Sequence, residues 1–194
     1  MRKLKLQVQI SIDGFIADKN GKTDWMIWNW GPEWTWDNKL QKYFEDLTAS
    51  IDCVLLSRKM AVEGFIDHWA KMADSKNSQS AFAKEIKDAH KIVFSKTLKK
   101  SKWDNAEIPG GNLKTEINKI KKQKGKDIIV YGGASFLSSL INANLIDEFH
   151  LFVNPTMLGG GMPIFKEAGK SNLDLVDAKS YACGIVVLTY APKK

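Results

Sequence analysis

The sequence has little that would tie it to a membrane, to an oxidising compartment or to a metal ion. Its two cysteines, Cys53 and Cys183, lie far apart in apolar surroundings, which predicts free buried thiols in a cytoplasmic protein. The three histidines are scattered and give no ligand spacing, so we expect no metal site. No run of about 18 apolar residues occurs, which excludes a membrane-spanning helix. An alternating strand pattern begins directly after Lys3, which leaves no room for a signal peptide.

Apolar and basic residues, by contrast, are plentiful. The chain of 194 residues is 44% hydrophobic, which is enough to bury a core, and we expect a single domain over residues 1–194. The formal charge of +7 leaves a nucleic-acid-binding domain open as one class of function. However, the lysine clusters in residues 96–102 and 119–126 contain no aromatic residues. This pattern favours solvated faces, so we expect no nucleic-acid partner.

Residues 127–136 predict a strand, a Gly-Gly turn and a helix in direct succession. Residues 128–131 form a continuous apolar or aromatic run, which is typical of a buried parallel strand. Gly132 and Gly133 follow, and apolar residues then recur at helical spacing. A glycine turn lets a ligand approach the backbone closely, and a helix N-terminus attracts anions. The stretch therefore predicts a phosphate site, although a Gly-Gly turn can also serve geometry alone.

Two more predicted strands end in small or basic residues. The strand over residues 53–56 runs into Ser57, Arg58 and Lys59, where Ser57 is positioned to cap a helix. The strand over residues 91–94 ends in Ser95, Lys96 and Thr97. Cations at a helix start are unfavourable unless an anion lies among them, and ligands of open α/β sheets bind at the carboxyl ends of strands. Three such ends predict a dinucleotide, with plain surface cations as the alternative for Arg58 and Lys59.

The remaining pattern predicts an α/β fold with a mixed, mostly parallel sheet. A first strand is expected over residues 4–12, and strands over residues 173–175 and 185–190 form a closing antiparallel hairpin. Helices are expected over residues 36–48 and 80–91 and from Leu113 to Gly125, the last capped by Asn112; residues 99–111 should be irregular.

Five tryptophans fall within residues 25–36 without a regular period. They predict either an aromatic cluster that anchors an irregular loop, a wall for a flat ring ligand, or a dimer contact. Asp37 follows at the start of the predicted helix, on its inward face. Its carboxylate is expected either to favour the helix N-terminus or to point into a substrate pocket.

Several motifs occur in an order that resembles the dihydrofolate reductase-like superfamily. The nearest branch is the C-terminal reductase domain of the riboflavin-biosynthesis deaminase-reductase, with its stand-alone relatives. The resemblance covers nearly the whole chain, and it implies a three-layer sandwich with helices on both faces of the sheet. The motifs occupy residues 11–17, 24–25, 56–59, 93–98, 130–134 and 158–161.

The resemblance implies an oxidoreductase that takes a hydride from NADPH. By position, Arg58 and Lys59 would hold the 2′-phosphate and pyrophosphate, next to Ser57. Ser95, Lys96 and Thr97 would line the adenosine side, and Ile16 and Ala17 would flank the nicotinamide. The residues around the pyrophosphate would be Gly132, Gly133, Ala134, Ser135 and Phe136. Asp13 and Trp25 would border a small-molecule substrate, and Asp13 and Asp37 are the candidate catalytic carboxylates.

The sequence also departs from the family pattern. Ser57 replaces a common glycine and Met60 a usual threonine, which removes one phosphate donor. A gap-free count from Cys53 places the folate enzyme's carboxylate at Leu40, one turn after Asp37. The substrate implied is therefore a pteridine or ribityl-aminopyrimidine type of heterocycle. An NADP(H)-binding protein without turnover and a true dihydrofolate reductase stay open as alternatives.

A homodimer is expected for two reasons. The resemblance is one, since the riboflavin-type reductase domains associate. The other is the predicted strand over residues 185–190, which is apolar on both faces and would be an exposed liability at a sheet edge.

Overall fold

A computed structural model describes residues 1–28, 30–31, 33–75, 79–166 and 169–193. Within these residues the chain forms an α/β fold with eight strands in a mixed, mostly parallel sheet. The strands are β1 (Leu4–Ile10), β2 (Ile51–Ser57), β3 (His90–Phe94), β4 (Ala106–Glu107), β5 (Asp127–Val130), β6 (Glu148–Val153), β7 (Leu173–Ser180) and β8 (Val186–Pro192). The helices are α1 (Asn38–Ala49), α2 (Arg58–Val62), α3 (Phe65–Ala73), α4 (Ser80–Asp88), α5 (Leu113–Lys121) and α6 (Ala134–Asn142).

The chain divides into two compact units. One comprises Met1–Leu4 and Lys42–Gly133, and the other comprises Lys5–Gln41 and Ala134–Lys194. The single domain over residues 1–194 stays a prediction. None of the helices in the described ranges has the length and hydropathy needed to cross a membrane.

The first unit contains the parallel strands β4, β3, β2 and β5, in that order. Residues 53–56 of β2 and 128–130 of β5 are buried, as their continuous apolar runs predict. Helix α5 begins where Asn112 accepts a hydrogen bond of 2.9 Å from the backbone N–H of Thr115, so the predicted cap is confirmed. Strand β4, only two residues long, lies in the stretch expected to be irregular.

The second unit contains β1, β6, β8 and β7, in that order. Strand β6 runs parallel to β1, and β8 runs antiparallel to both β6 and β7, so the predicted closing hairpin is confirmed. Strand β8 is internal, however, and β7 is the last strand in this order. The premise that the strand near residues 185–190 lies at the edge is therefore wrong.

Several element boundaries differ from expectation; helix α5, for example, ends at Lys121 rather than at Gly125. Three of the differences have local reasons. Strand β1 stops at Ile10 because Ser11 turns the chain, its N–H donating to the carbonyl of Phe15 at 2.9 Å. Helix α1 starts at Asn38, since Asp37 caps it. Helix α4 ends at Asp88 because the chain then enters β3, whose pairing with β2 already includes His90.

Candidate functional site

Ser57 ends β2 and caps α2. Its hydroxyl oxygen accepts a hydrogen bond of 3.2 Å from the backbone N–H of Met60, so the predicted cap is confirmed. A hydroxyl that accepts from the backbone keeps its own proton for another acceptor. Arg58 and Lys59 follow, both exposed, and Lys59 Nζ lies 3.7 Å from a Glu63 carboxylate oxygen.

Ser95 plays a similar part after β3. Its hydroxyl oxygen accepts from the backbone N–H groups of Thr97 at 3.1 Å and Leu98 at 2.8 Å. This turn fixes the chain that leaves the strand and leaves the side chains of Lys96 and Thr97 exposed. Small hydroxyls at both strand ends thus organise the local backbone. The Ser95 hydroxyl also lies 3.5 Å from Oγ1 of Thr97.

The two glycines of the turn after β5 differ in whether their position requires glycine. Gly133 has φ +84°, a left-handed conformation that side chains disfavour. Gly132 is buried, and a Cβ at that position would lie 3.4 Å from Sδ of Met60, an ordinary van der Waals contact. Gly133 therefore requires glycine for its backbone conformation, whereas Gly132 has room for a methyl group.

The strand register brings these three ends to one edge of the first unit. Ser57 pairs with Phe94, the residue before Ser95. Leu55 pairs with Val130, so Ser57 is level with Gly132 two residues further along both strands. The candidate groups on the three strands are thus neighbours, as the parallel arrangement predicts.

Helix α6 begins directly after Gly133. Ala134, Ser135 and Phe136 form its first turn, whose N–H groups have no acceptor within the helix. The structure assigns these three residues to the second unit.

In the second unit, the carboxylate of Asp13 joins two loops. Its Oδ1 accepts from the hydroxyl of Ser11 at 2.6 Å, and its Oδ2 accepts from the N–H of Gly159 at 2.7 Å. The N–H of Leu158 lies 3.2 Å from both oxygens. The bond from the Ser11 hydroxyl, followed by those from the two backbone groups, lowers the pKa of Asp13 below its ordinary value despite some desolvation.

Ile16 and Ala17 lie on the loop that Asp13 begins. The N–H of Ile16 donates to the carbonyl of Met162 at 3.0 Å, and the N–H of Met162 donates to the carbonyl of Ala17 at 2.9 Å. Phe15 forms an antiparallel bridge with Pro163. The backbone of residues 15–17 is therefore held by the glycine-rich loop that follows β6.

Asp37 caps α1 rather than standing free in a cavity. Its Oδ1 accepts from the N–H groups of Lys39 at 3.0 Å and Leu40 at 3.2 Å, and its Oδ2 accepts from the N–H of Cys183 at 3.0 Å. Partial desolvation opposes ionisation, but the donors at Cys183, Leu40 and Lys39 together lower the pKa of Asp37. This geometry supports the helix N-terminus interpretation of Asp37.

The tryptophan-rich loop is anchored in the core of the second unit. Trp28 and Trp36 are 1% and 2% exposed, their ring centroids lie 4.8 Å apart, and Trp36 stacks on Phe152 at 5.4 Å. These contacts match the anchoring alternative. Trp25 is half-buried, and its indole N–H donates to the carbonyl of Lys22 at 3.2 Å.

The sequence did not indicate two features of this unit. Nothing local connects Asp13 with Leu158, which is 145 positions later; the run of glycines at 159–161 only indicated a loop. Nor did it indicate the pair of Glu148 and His150, whose Oε1 and Nε2 lie 2.7 Å apart on β6, largely buried. Their spacing of two residues on a strand was the available signal. Within the described ranges, no group of three or more His, Cys, Asp or Glu residues could hold a metal ion.

Known proteins provide an independent comparison. The chain is 34% identical to the protein YyaP of Bacillus subtilis (strain 168) over 194 residues, covering 97% of this chain and 94% of YyaP. A structure from Shewanella sp. PV-4, assigned to riboflavin biosynthesis, matches with a TM-score of 0.73 and 22% identity over 99% of both chains.

A second structure belongs to the diaminohydroxyphosphoribosylaminopyrimidine deaminase/5-amino-6-(5-phosphoribosylamino)uracil reductase of Thermotoga maritima. It matches with a TM-score of 0.67 and 15% identity over 99% of this chain and 57% of that one. At these identities the two structures establish the fold alone. A family model described as the RibD C-terminal domain matches residues 2–188. The chain therefore belongs to the RibD C-terminal domain family, a reductase-like family of riboflavin biosynthesis.

Proposed function

We propose that the protein is an NADPH-dependent reductase that transfers a hydride to a small nitrogen heterocycle of the pteridine or ribityl-aminopyrimidine type. Family membership supports a reductase of the riboflavin-pathway type. The Thermotoga maritima neighbour, named as a reductase of an aminouracil, supports the substrate class.

One observation carries the cofactor proposal. Three strand ends bearing Ser57, Ser95 and Gly132 are level at one edge, and Gly133 turns the chain there with φ +84°. The Ser57 oxygen accepts from one backbone donor and the Ser95 oxygen from two, and the Ser95 hydroxyl also lies 3.5 Å from the Thr97 hydroxyl. Hydroxyl donors, an exposed guanidinium and a side-chain-free turn are what a dinucleotide phosphate needs.

The residues present fit this cofactor with distinct roles in the first unit. Arg58 would pair with the 2′-phosphate, since a guanidinium matches a phosphate bidentately. Lys59 and the turn at Gly132 and Gly133 would serve the pyrophosphate. Met60 has no hydrogen-bond donor on its side chain, and its backbone N–H is already used by Ser57.

The residues of the second unit keep, as predictions, the roles that the family resemblance implies. Ala134, Ser135 and Phe136 are predicted for the pyrophosphate and Ile16 and Ala17 for the nicotinamide. Trp25 is predicted for the substrate. Bound NADPH supplies the hydride from its dihydronicotinamide ring, while the protein orients the partners and excludes water.

The catalytic role of Asp13 and Asp37 stays a prediction. Both carboxylates accept several backbone N–H bonds and have a lowered pKa. At neutral pH both are therefore ionised and have no proton to give, so their geometry favours holding the backbone over direct proton donation.

The direct test measures cofactor binding and turnover separately. NADPH and NADH would be titrated into the protein by calorimetry, and NADPH oxidation would then be followed with a ribityl-aminopyrimidine and with a reduced pteridine. We expect binding of NADPH and oxidation with at least one heterocycle. Binding without oxidation across both substrate types would favour the binding protein without turnover. No NADPH binding at millimolar concentration would overturn the proposal.

A further inference from the structure

We propose that Asp13 is a positioning residue whose carboxylate latches the glycine-rich segment 158–161 onto residues 15–17. In the proposed function these residues include two neighbours of the nicotinamide, so the catalytic consequence of the latch rests on that function. The latch itself does not, because it consists of contacts within the second unit.

The carboxylate of Asp13 collects three donors from two loops. The Ser11 hydroxyl donates at 2.6 Å from its own turn, and Gly159 N–H donates at 2.7 Å from the other loop, with Leu158 N–H at 3.2 Å. Two successive backbone N–H groups that converge on one anion form a nest. Hydrogen bonds to an ionised acceptor are roughly twice as strong as neutral ones. The carboxylate therefore stabilises one conformation of the glycine-rich segment 158–161.

The segment that the latch fixes needs such a tie. Gly159 and Gly160 have φ +65° and +154°, and glycine loses more conformational freedom on folding than any other residue. A Cβ at Gly161 would overlap the carbonyl oxygen of Ala17, so the two loops are in close backbone contact there. Displacing the segment 158–161 would therefore displace residues 15–17.

The rest of the contact explains why one carboxylate can set the register of the two loops. Ile12 N–H donates to the carbonyl of Thr156 at 2.8 Å, and Met162 exchanges hydrogen bonds with Ile16 and Ala17. Asp13 lies between these two sets of backbone bonds. Without the Asp13 carboxylate, segment 158–161 would be held to the other loop by the backbone bonds at Thr156 and Met162, on either side of it. Its glycines could then sample other conformations.

The chain offers a matched control in the next turn. Oδ1 of Asp18 accepts from the N–H groups of Asn20 at 2.7 Å and Lys22 at 2.8 Å. Those bonds stay within the loop that Asp18 belongs to. Asp18→Ala therefore removes a comparable carboxylate without touching the bonds to Leu158 and Gly159.

The structural test is amide hydrogen exchange on the full chain. In Asp13→Ala both carboxylate acceptors are lost, so exchange at Leu158 and Gly159 should accelerate by about tenfold or more. Asp18→Ala should leave exchange at those two amides unchanged. Asp13→Glu keeps the charge, should give a smaller acceleration, and carries the test if the Ala variant fails to fold. Unchanged exchange at Leu158 and Gly159 in Asp13→Ala would overturn the latch.

The functional test separates positioning from proton donation. With NADPH and an aminopyrimidine, Asp13→Ala should lower kcat while the pH profile of the remaining activity keeps its shape. Loss of one limb of that profile would mean that Asp13 transfers a proton itself, and the proposal would fail. If the unmutated protein does not oxidise NADPH at all, the proposed function fails. Hydrogen exchange still tests whether Asp13 holds segment 158–161, because that measurement does not depend on activity.

Discussion

The backbone N–H of Cys183 donates a hydrogen bond of 3.0 Å to Oδ2 of Asp37, a residue 146 positions earlier in the chain. The other carboxylate oxygen caps α1 through Lys39 and Leu40. One side chain thus joins the start of a helix to the turn between β7 and β8. The contact makes Asp37 a structural residue in this conformation, with consequences for stability and for substrate choice.

Asp37→Ala should lower the free energy of unfolding by about 1 kcal/mol, the usual cost of losing a helix N-cap. The measurement is urea denaturation, with Asn38→Ala on the exposed first turn of α1 as a control that should change little. Because the folded-state pKa of Asp37 is lowered, its contribution is present above the ordinary pKa of an aspartate. It is lost as the pH falls through the folded-state pKa. An effect of Asp37→Ala that grows on acidification would contradict this.

Gly133→Val should abolish the rise in melting temperature that NADPH is expected to cause. At φ +84° a β-branched side chain is strained, and it would also meet an approaching pyrophosphate. Gly64→Val is the control for backbone strain alone, since Gly64 has φ +104° and a Cβ there would meet no atom within 4 Å. A folded Gly133→Val protein that still gains stability from NADPH would show that the turn serves geometry alone.

Arg58 should make the protein prefer NADPH to NADH. Arg58→Gln should weaken NADPH binding by about 10- to 100-fold, the range expected for losing hydrogen bonds to a charged group, and NADH binding much less. Lys119→Gln, exposed in the last turn of α5 before the start of β5, removes the same charge at the other end of the strands and should leave both affinities unchanged. Equal affinities for the two cofactors in the unmutated protein would end this prediction.

We propose a homodimer that forms through β7. Among the described strands, β7 is the last in the order of the sheet. Its residues Leu175 and Val176 are 58% and 60% exposed. Asp174, Asp177 and Lys179 also lie on β7, but an exposed apolar pair on an edge strand invites pairing with a second copy. Sedimentation at micromolar concentration should give twice the 21.8 kDa mass of the chain, and Val176→Lys should shift it towards the monomer. A single 21.8 kDa species for the unmutated protein would contradict the proposal.

Dihydrofolate should be a poor substrate beside a riboflavin-pathway aminopyrimidine. The carboxylate nearest the folate enzyme's position in the sequence is Asp37, which three backbone donors hold at the start of α1, so we expect it to serve a ring nitrogen poorly. Steady-state oxidation of NADPH with each compound tests this. A kcat/KM on dihydrofolate within the ordinary range of ~10⁴–10⁸ M⁻¹s⁻¹, lost in Asp37→Asn, would instead make Asp37 the catalytic carboxylate.

The sequence by itself determined the elements whose signals are local. The continuous apolar runs of β2, β3 and β5 predict buried parallel strands, because only a strand covered on both faces can be apolar throughout. The caps at Ser57 and Asn112 follow from hydroxyl and amide oxygens placed before helical patterns. Ordered motifs along nearly the whole chain also indicated the family, which the family model then matched over residues 2–188.

Tertiary structure alone decided what each carboxylate holds and which strand lies at the edge. Asp13 and Asp37 take their partners from Gly159 and Cys183, about 146 residues away, and no local pattern encodes such a pair. The order of β6, β8 and β7 depends on the free energy of whole strand pairings, so the hairpin pattern gave its antiparallel sense but not its outer member. Backbone hydrogen bonds between distant loops form only after the sheet brings those loops together, which is why sequence periodicity cannot indicate them.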